Sequence, residues 1–145
     1  MAHSGKYYGL FLKSLLNKEV DIDSDTLKVM LCNSTYTPNQ DTHQYKSSVT
    51  NEITGTGYTA GGATLTGVTL TYNASTNTIV LDADDVSWNG ATFTARHAVI
   101  YDSTPGSDAT RPLIAVITFD TDIPATSAPF QLLWDAAGIA SLTVS

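Results

Sequence analysis

From residue 51 onward the chain repeats one pattern: apolar residues at alternate positions, broken by glycine, asparagine and aspartate. Side chains of a strand alternate between two faces, so this pattern writes strands and turns. In ATLTGVTLTY (63–72) the alternation changes phase. Leu65 falls on one parity, Val68, Leu70 and Tyr72 fall on the other, and Gly67 stands at the switch. A glycine there predicts a β-bulge. NASTN (73–77) predicts a hairpin turn, and TIVLDADDVSW returns from it with a second irregularity over 83–85. TFTARHAVIYD (92–102) sets Phe93, Ala95, His97, Val99 and Tyr101 on one face. PLIAVITFD (112–120) is apolar on both parities, which predicts a central strand. DIPATSAP then reads as a connection to FQLLWD, and 135–138 predicts a tight hairpin into a last strand, IASLTVS.

Upstream, 27–32 is apolar on both parities and predicts a strand buried on two sides. Tyr8, Phe11, Leu12, Leu15 and Leu16 fall at helical spacing, which predicts a short helix ending near Asn17 with Ser4 as its N-cap. Residues 33–50 are polar and contain Pro38, so they predict a long loop with room for one helical turn. Loops longer than about 12–15 residues are commonly functional. The expected fold is all-β: an antiparallel sandwich or barrel of seven or eight strands with a short N-terminal helix. A chain of 145 residues has room for one domain, with 1–26 as an N-terminal helix and arm and 27–145 as the β-core.

The surface is unusual. Charged residues make up 14% of the chain, against about 25% in ordinary globular domains. In their place stand 22 threonines, 13 serines and 7 asparagines. The branched β-carbon of threonine suits a half-exposed pleated surface. Net charge is −7, and the distribution is uneven. Residues 1–46 hold five lysines balanced by Glu19, Asp21, Asp23, Asp25 and Asp41, while 47–145 set nine acids against Arg96 and Arg111. Such a body is repelled by phosphate backbones and anionic membranes, so neither nucleic acid nor membrane is an expected partner. No apolar run approaches the roughly 18 residues of a membrane-spanning helix. The first residues carry Lys13 and Ser14 inside their apolar stretch, unlike a secretory signal.

No chemistry emerges from the motifs. DIDSD (21–25) starts like a calcium-binding loop, but Thr26 stands where glycine makes the sharp turn and Cys32 where a bidentate glutamate is needed. The second acidic cluster, LDADD, reads as surface carboxylates at a bend. His3, His43 and His97 have no partner at ligand spacing, and His97 reads as a core histidine held by one hydrogen bond. The single cysteine, Cys32, excludes an intrachain disulfide, and burial in an apolar strand disfavours its thiolate. No nucleophile elbow, zinc-binding helix or phosphate loop occurs. The reading is a non-enzymatic protein, without cofactor or metal, acting through its surface.

The runs LKVMLCNSTYTPNQDTHQY, NEITGTGYTAGGATLTG, LDADDVSW, TFTARHAVIYD and WDAAGI resemble a family of small structural proteins of tailed bacteriophages. The glycine-rich run and ARHAVIYD are the most specific of them, and the resemblance spans 7–144. It implies a virion protein made in the bacterial host cytoplasm. The role implied is capsid decoration: cementing the outer surface of the major capsid lattice, as a homotrimer. Two alternatives stand beside it. One is a tail or baseplate component. The other is a host-surface or carbohydrate-binding module, with Tyr36, Tyr45 and Tyr58 as stacking residues. The partner contact is expected on the parts a β-core needs least: Tyr7, Tyr8 and Phe11 of the N-terminal segment, and Tyr36, Pro38 and Tyr45 of the 33–50 loop.

Overall fold

The alternating segments become strands in the computed structural model, which describes residues 2–145. The strands are β1 (Ala2–His3), β2 (Lys6–Tyr7), β3 (Leu27–Cys32), β4 (Ala63–Thr64), β5 (Thr69–Asn73), β6 (Thr78–Asp82), β7 (Val86–Asp102), β8 (Leu113–Trp134) and β9 (Ala140–Thr143), and the helix α1 is Gly9–Leu16. Strands take 48% of the chain, so the protein is mostly β with one helix. A six-stranded sheet has the order β1-β8-β7-β3-β4, with β2 also on β8, and a three-stranded sheet has the order β5-β6-β9. The sheets do not close into a barrel, which removes that alternative. Nine strands replace the expected seven or eight, because β1, β2 and β4 are two-residue pieces. All pairs are antiparallel except β1 with β8.

The long β7–β8 hairpin folds over itself. β1 pairs Ala2 with Leu133, and β2 pairs Lys6 with Val116. The chain between His3 and Lys6 can reach only about 11 Å at about 3.6 Å per residue. A straight strand from Val116 to Leu133 would run about 56 Å at about 3.3 Å per residue. The two ends of β8 must therefore lie side by side. The bend has a local cause: between the pairs Ala95–Ile123 and His97–Thr118, only Arg96 of β7 faces residues 119–122 of β8. An excess of residues on one strand bends it. Phe119 sits at this bend, buried, with its ring centroid 4.7 Å from that of His3 and 6.3 Å from that of Phe130.

The N-terminus is built into this fold. The Asp135 amide donates to the His3 carbonyl at 2.8 Å, and the Gly5 amide donates to the Ile139 carbonyl at 2.7 Å. The turn at 135–138 forms as expected, with Gly138 at φ 100°. The strands it joins do not pair with each other, however. The N-terminal segment lies between them, and β9 pairs with β6. Ser4 does not cap α1. Tyr8 holds the cap position without a side-chain bond, and the Gly9 amide finds the Gln40 carbonyl at 2.9 Å.

Other expectations shift in instructive ways. The strand over Leu27–Cys32 is where the sequence puts it, and only Lys28 is not fully buried. Gly67 is no bulge: β4 belongs to the large sheet and β5 to the small one, so the phase change marks a crossing between sheets. The irregularity at 83–85 marks the crossing back. Residues 51–62 form no strand. They join the sheet through isolated bridges at Glu52 and Thr56, the Ile53 amide on the Leu31 carbonyl, and the Tyr101 hydroxyl on the Gly61 carbonyl. DIPATSAP is not a connection but the middle of β8. Its Pro124 is tolerated because β8 pairs there with β7 alone, leaving an edge that needs no amide.

Candidate functional site

The residues able to do chemistry are engaged in structure. His97 is buried, and its Nδ1 lies 3.0 Å from Thr118 Oγ1. Burial, then the Arg96 charge, hold its pKa below 6.5. Cys32 is fully buried, and burial pushes its thiol up to about 12, where no thiolate nucleophile exists at neutral pH. In 21–25 the carboxylates turn back onto their own backbone: Asp25 Oδ2 accepts from the Asp21 amide and Asp21 Oδ1 from the Asp23 amide. In 82–85, Asp84 Oδ2 accepts from Thr66 and Asp85 Oδ1 from the Trp134 amide. Among the described residues no three histidine, cysteine, aspartate or glutamate side chains converge on a metal position. No helix of the described residues is long and apolar enough to cross a membrane.

What the fold does build is a fixed loop. Residues 33–50 contain no strand, only a 3-10 turn at Lys46–Ser48, yet they are pinned along their length. The Gln40 amide group donates to the Tyr7 carbonyl at 2.6 Å, beside the Gly9 bond to the Gln40 carbonyl. Gln44 Nε2 donates to Ser14 Oγ at 3.2 Å, and the Tyr45 hydroxyl donates to Glu19 Oε2 at 3.1 Å. Asn39 Oδ1 accepts from the Asp41 and Thr42 amides and shapes the tip. The Asn33 amide on the Asn51 carbonyl and Tyr36 on Tyr8 hold the start of the loop, and along it Ser34, Thr35, Thr37, Asn39, Asp41 and Thr42 are exposed. Beside them lies a shallow depression of about 330 Å³ with Pro38, Thr37 and Arg96 on its rim.

The expected contact residues divide. Tyr8, Phe11 and Tyr36 are 0%, 4% and 2% exposed and belong to the core, so they offer no side chain to a partner. This corrects the picture of an N-terminal docking arm. Of the apolar residues at helical spacing, Tyr8 and Phe11 face inward, and burial of each such side chain stabilises the fold by about 1.5–3 kcal/mol, while Leu12 and Leu16 stay exposed. Tyr7, Pro38 and Tyr45 are half-buried. Tyr58, read as a sugar-stacking residue, packs on Trp88 and Phe93, and its hydroxyl donates to Glu52 at 2.7 Å. The loop anchors Gln40 and Gln44 escaped the sequence reading, since an amide side chain in a polar run carries no signal of what it binds.

A second surface is apolar. Among the described residues the large apolar side chains left exposed are Leu12, Leu16, Leu70, Tyr72 and Val144. Strand register gathers three of them, Leu70, Tyr72 and Val144: Tyr72 stands opposite Ile79, Ile79 opposite Leu142, and the Val144 amide donates to the Asn77 carbonyl. Opposed residues share a face. Leu12 and Leu15 of α1 close the same groove against Leu70, Ile79 and Leu142.

No family model matches this chain, and neither a curated protein nor a solved structure is significantly similar to it.

Proposed function

We propose that this is a non-enzymatic structural protein of a tailed-phage virion. Its most fitting role is capsid decoration, binding the outer surface of the major capsid lattice. The observation that carries the reading is the pinned 33–50 loop. Its anchors are satisfied inside the protein, and its exposed hydroxyls and amides stand in a fixed arrangement. A preorganised loop loses little freedom on docking, which is what binding without chemistry requires. The phage-protein resemblance of LKVMLCNSTYTPNQDTHQY falls on this same segment. We read the folded-over hairpin and the small sheet as an open sandwich. The acidic body would face outward, where like charge keeps particles apart. Many copies bound only to the assembled lattice stabilise it by mass action. The reading includes self-association, which the resemblance implies to be trimeric, and a virion location. A tail or baseplate position is the runner-up. The carbohydrate-binding alternative loses support, because Tyr36 and Tyr58 are packed and hydrogen-bonded.

Co-sedimentation with undecorated shells tests the proposal. The wild-type chain should bind saturably, and the double variant Thr35→Arg, Thr37→Arg should bind at least tenfold more weakly while melting normally. Binding to isolated tails and not to shells would move the protein to the runner-up. Binding to neither would refute a virion role.

A further inference from the structure

Among the described residues, the edge of β5 stands out from the other free edges by length and composition. The free side of β8 over its middle carries Asp120, Asp122, Pro124 and Pro129, the charges and prolines that block pairing with another chain. β4 is only two residues long. The outer side of β9 is covered by the N-terminal segment, through the Gly5 amide on Ile139 and the Tyr7 hydroxyl on Ala140. β5 pairs with β6 on one side and with nothing on the other. All five of its residues, Thr-Leu-Thr-Tyr-Asn, are exposed, with no charge, proline or bulge among them.

We propose that this edge pairs with the same edge of a second copy of the chain, antiparallel about a two-fold axis at Thr71. Three observations single out a second copy. First, the sequence of β5 is self-complementary in that register. Leu70 of one copy lies opposite Tyr72 of the other, on one face, so side chains 39% and 57% exposed in the single chain cover each other. Second, two bodies of net charge −7 repel, and they can meet at low cost only where charge is absent. Residues 53–81 hold no charged residue at all, and β5 lies within them. Lys18, Asp21 and Asp23, which line a depression with Leu70, are of mixed sign, and Asp82 stands opposite Thr69 on the β6 side, away from the free edge. Third, joining the two edges makes one continuous six-stranded sheet whose apolar face runs on into Ile79, Leu142 and the exposed Leu12 of α1. An isologous contact of this kind closes on itself as a dimer, where the resemblance implies a trimer. It stands apart from shell binding through the 33–50 loop, and either can fail without the other.

The experiment is light scattering over a concentration series, with cross-linking. The expected mass is twice the 15.4 kDa of the chain at high concentration, falling to that of a single chain on dilution. Leu70→Lys and Tyr72→Lys, both at exposed positions, should stay monomeric with unchanged melting. A short bis-maleimide should link Thr71→Cys chains in pairs. It should leave Thr69→Cys chains single, since residue 69 then faces Asn73 of the other copy. The native Cys32 is buried and does not compete. A chain that is monomeric at all concentrations would overturn the proposal. So would a trimer that both lysine variants leave intact, or cross-linking no stronger at position 71 than at 69.

Discussion

The phenolic oxygens of Tyr8 and Tyr36 lie 2.9 Å apart in the interior, and Tyr36 also reaches His43 Nδ1 at 3.0 Å. This pair ties the start of α1 to the 33–50 loop, so the N-terminal segment and the loop are one structural unit. Tyr8→Phe removes one bond and leaves Tyr36 with His43. Its expected cost is about 0.5–1.5 kcal/mol in urea unfolding. Tyr36→Phe strands the buried Tyr8 hydroxyl as well and should cost about 1–3 kcal/mol. Equal or reversed costs would mean the tie is not structural. Removing residues 2–8 should abolish cooperative unfolding, because β1, β2 and Tyr8 go together.

Gly62 is the backbone position least open to change. Its φ is 79°, and a Cβ there would run into the carbonyl of Val29 in β3. Backbone cannot yield as a flexible side chain can. Gly62→Ala should therefore lower the urea midpoint sharply or abolish folding, whereas Gly106→Ala, in open space, should leave it nearly unchanged.

Stability should fall on mild acidification. Burial holds His3, His43 and His97 below their ordinary value of 6.5, so the folded protein keeps them neutral. The unfolded chain binds protons first as pH drops. The histidine contribution is thus complete above pH 6.5 and is lost as pH falls from there through the folded values. Melting temperature measured from pH 8 to 5 should decline below 6.5, and His97→Gln should flatten part of the slope. A rise in melting temperature over that window would contradict the assignment.

Asp102 works in the opposite sense. It is fully buried, its Oδ1 accepts from the Thr104 amide at 2.8 Å, and no protein donor reaches Oδ2. Burial, with the neighbouring Asp25 carboxyl, raises its pKa above the ordinary 3.8. Its favourable contribution is present at low pH and is lost as pH rises through the folded value. Asp102→Asn keeps the shape, removes the charge and supplies a donor toward Asp25. It should stabilise the protein at pH 7 by about 1–3 kcal/mol, the cost of a buried polar atom without a partner. The gain should shrink in acid, and destabilisation at pH 7 would contradict this account.

The sequence was readable wherever one local rule decided the outcome. Apolar residues on both parities marked β3 and Leu113–Phe119, and alternation marked the buried face that carries His97. Glycine and asparagine marked the turns at 73–77 and 135–138. It misled where two architectures share one signature. A phase change at Gly67 fits a bulge or a crossing between sheets, and only long-range pairing tells them apart. Helical spacing from Tyr8 to Leu16 shows an apolar face but not what covers it. The exposed half of β8 was hidden because its threonines, serines and prolines compose an edge strand as readily as a loop. The loop anchors Gln40 and Gln44 act through contacts to Tyr7 and Ser14, about thirty positions away, which no local pattern records.

The central claim is best tested by a density map of intact phage particles, with and without the gene for this chain. The account predicts discrete density on the outer face of the shell, present only with the gene. The 33–50 loop should face the lattice and the acidic body should face solvent. Density confined to the tail, or identical maps from the two particles, would contradict it.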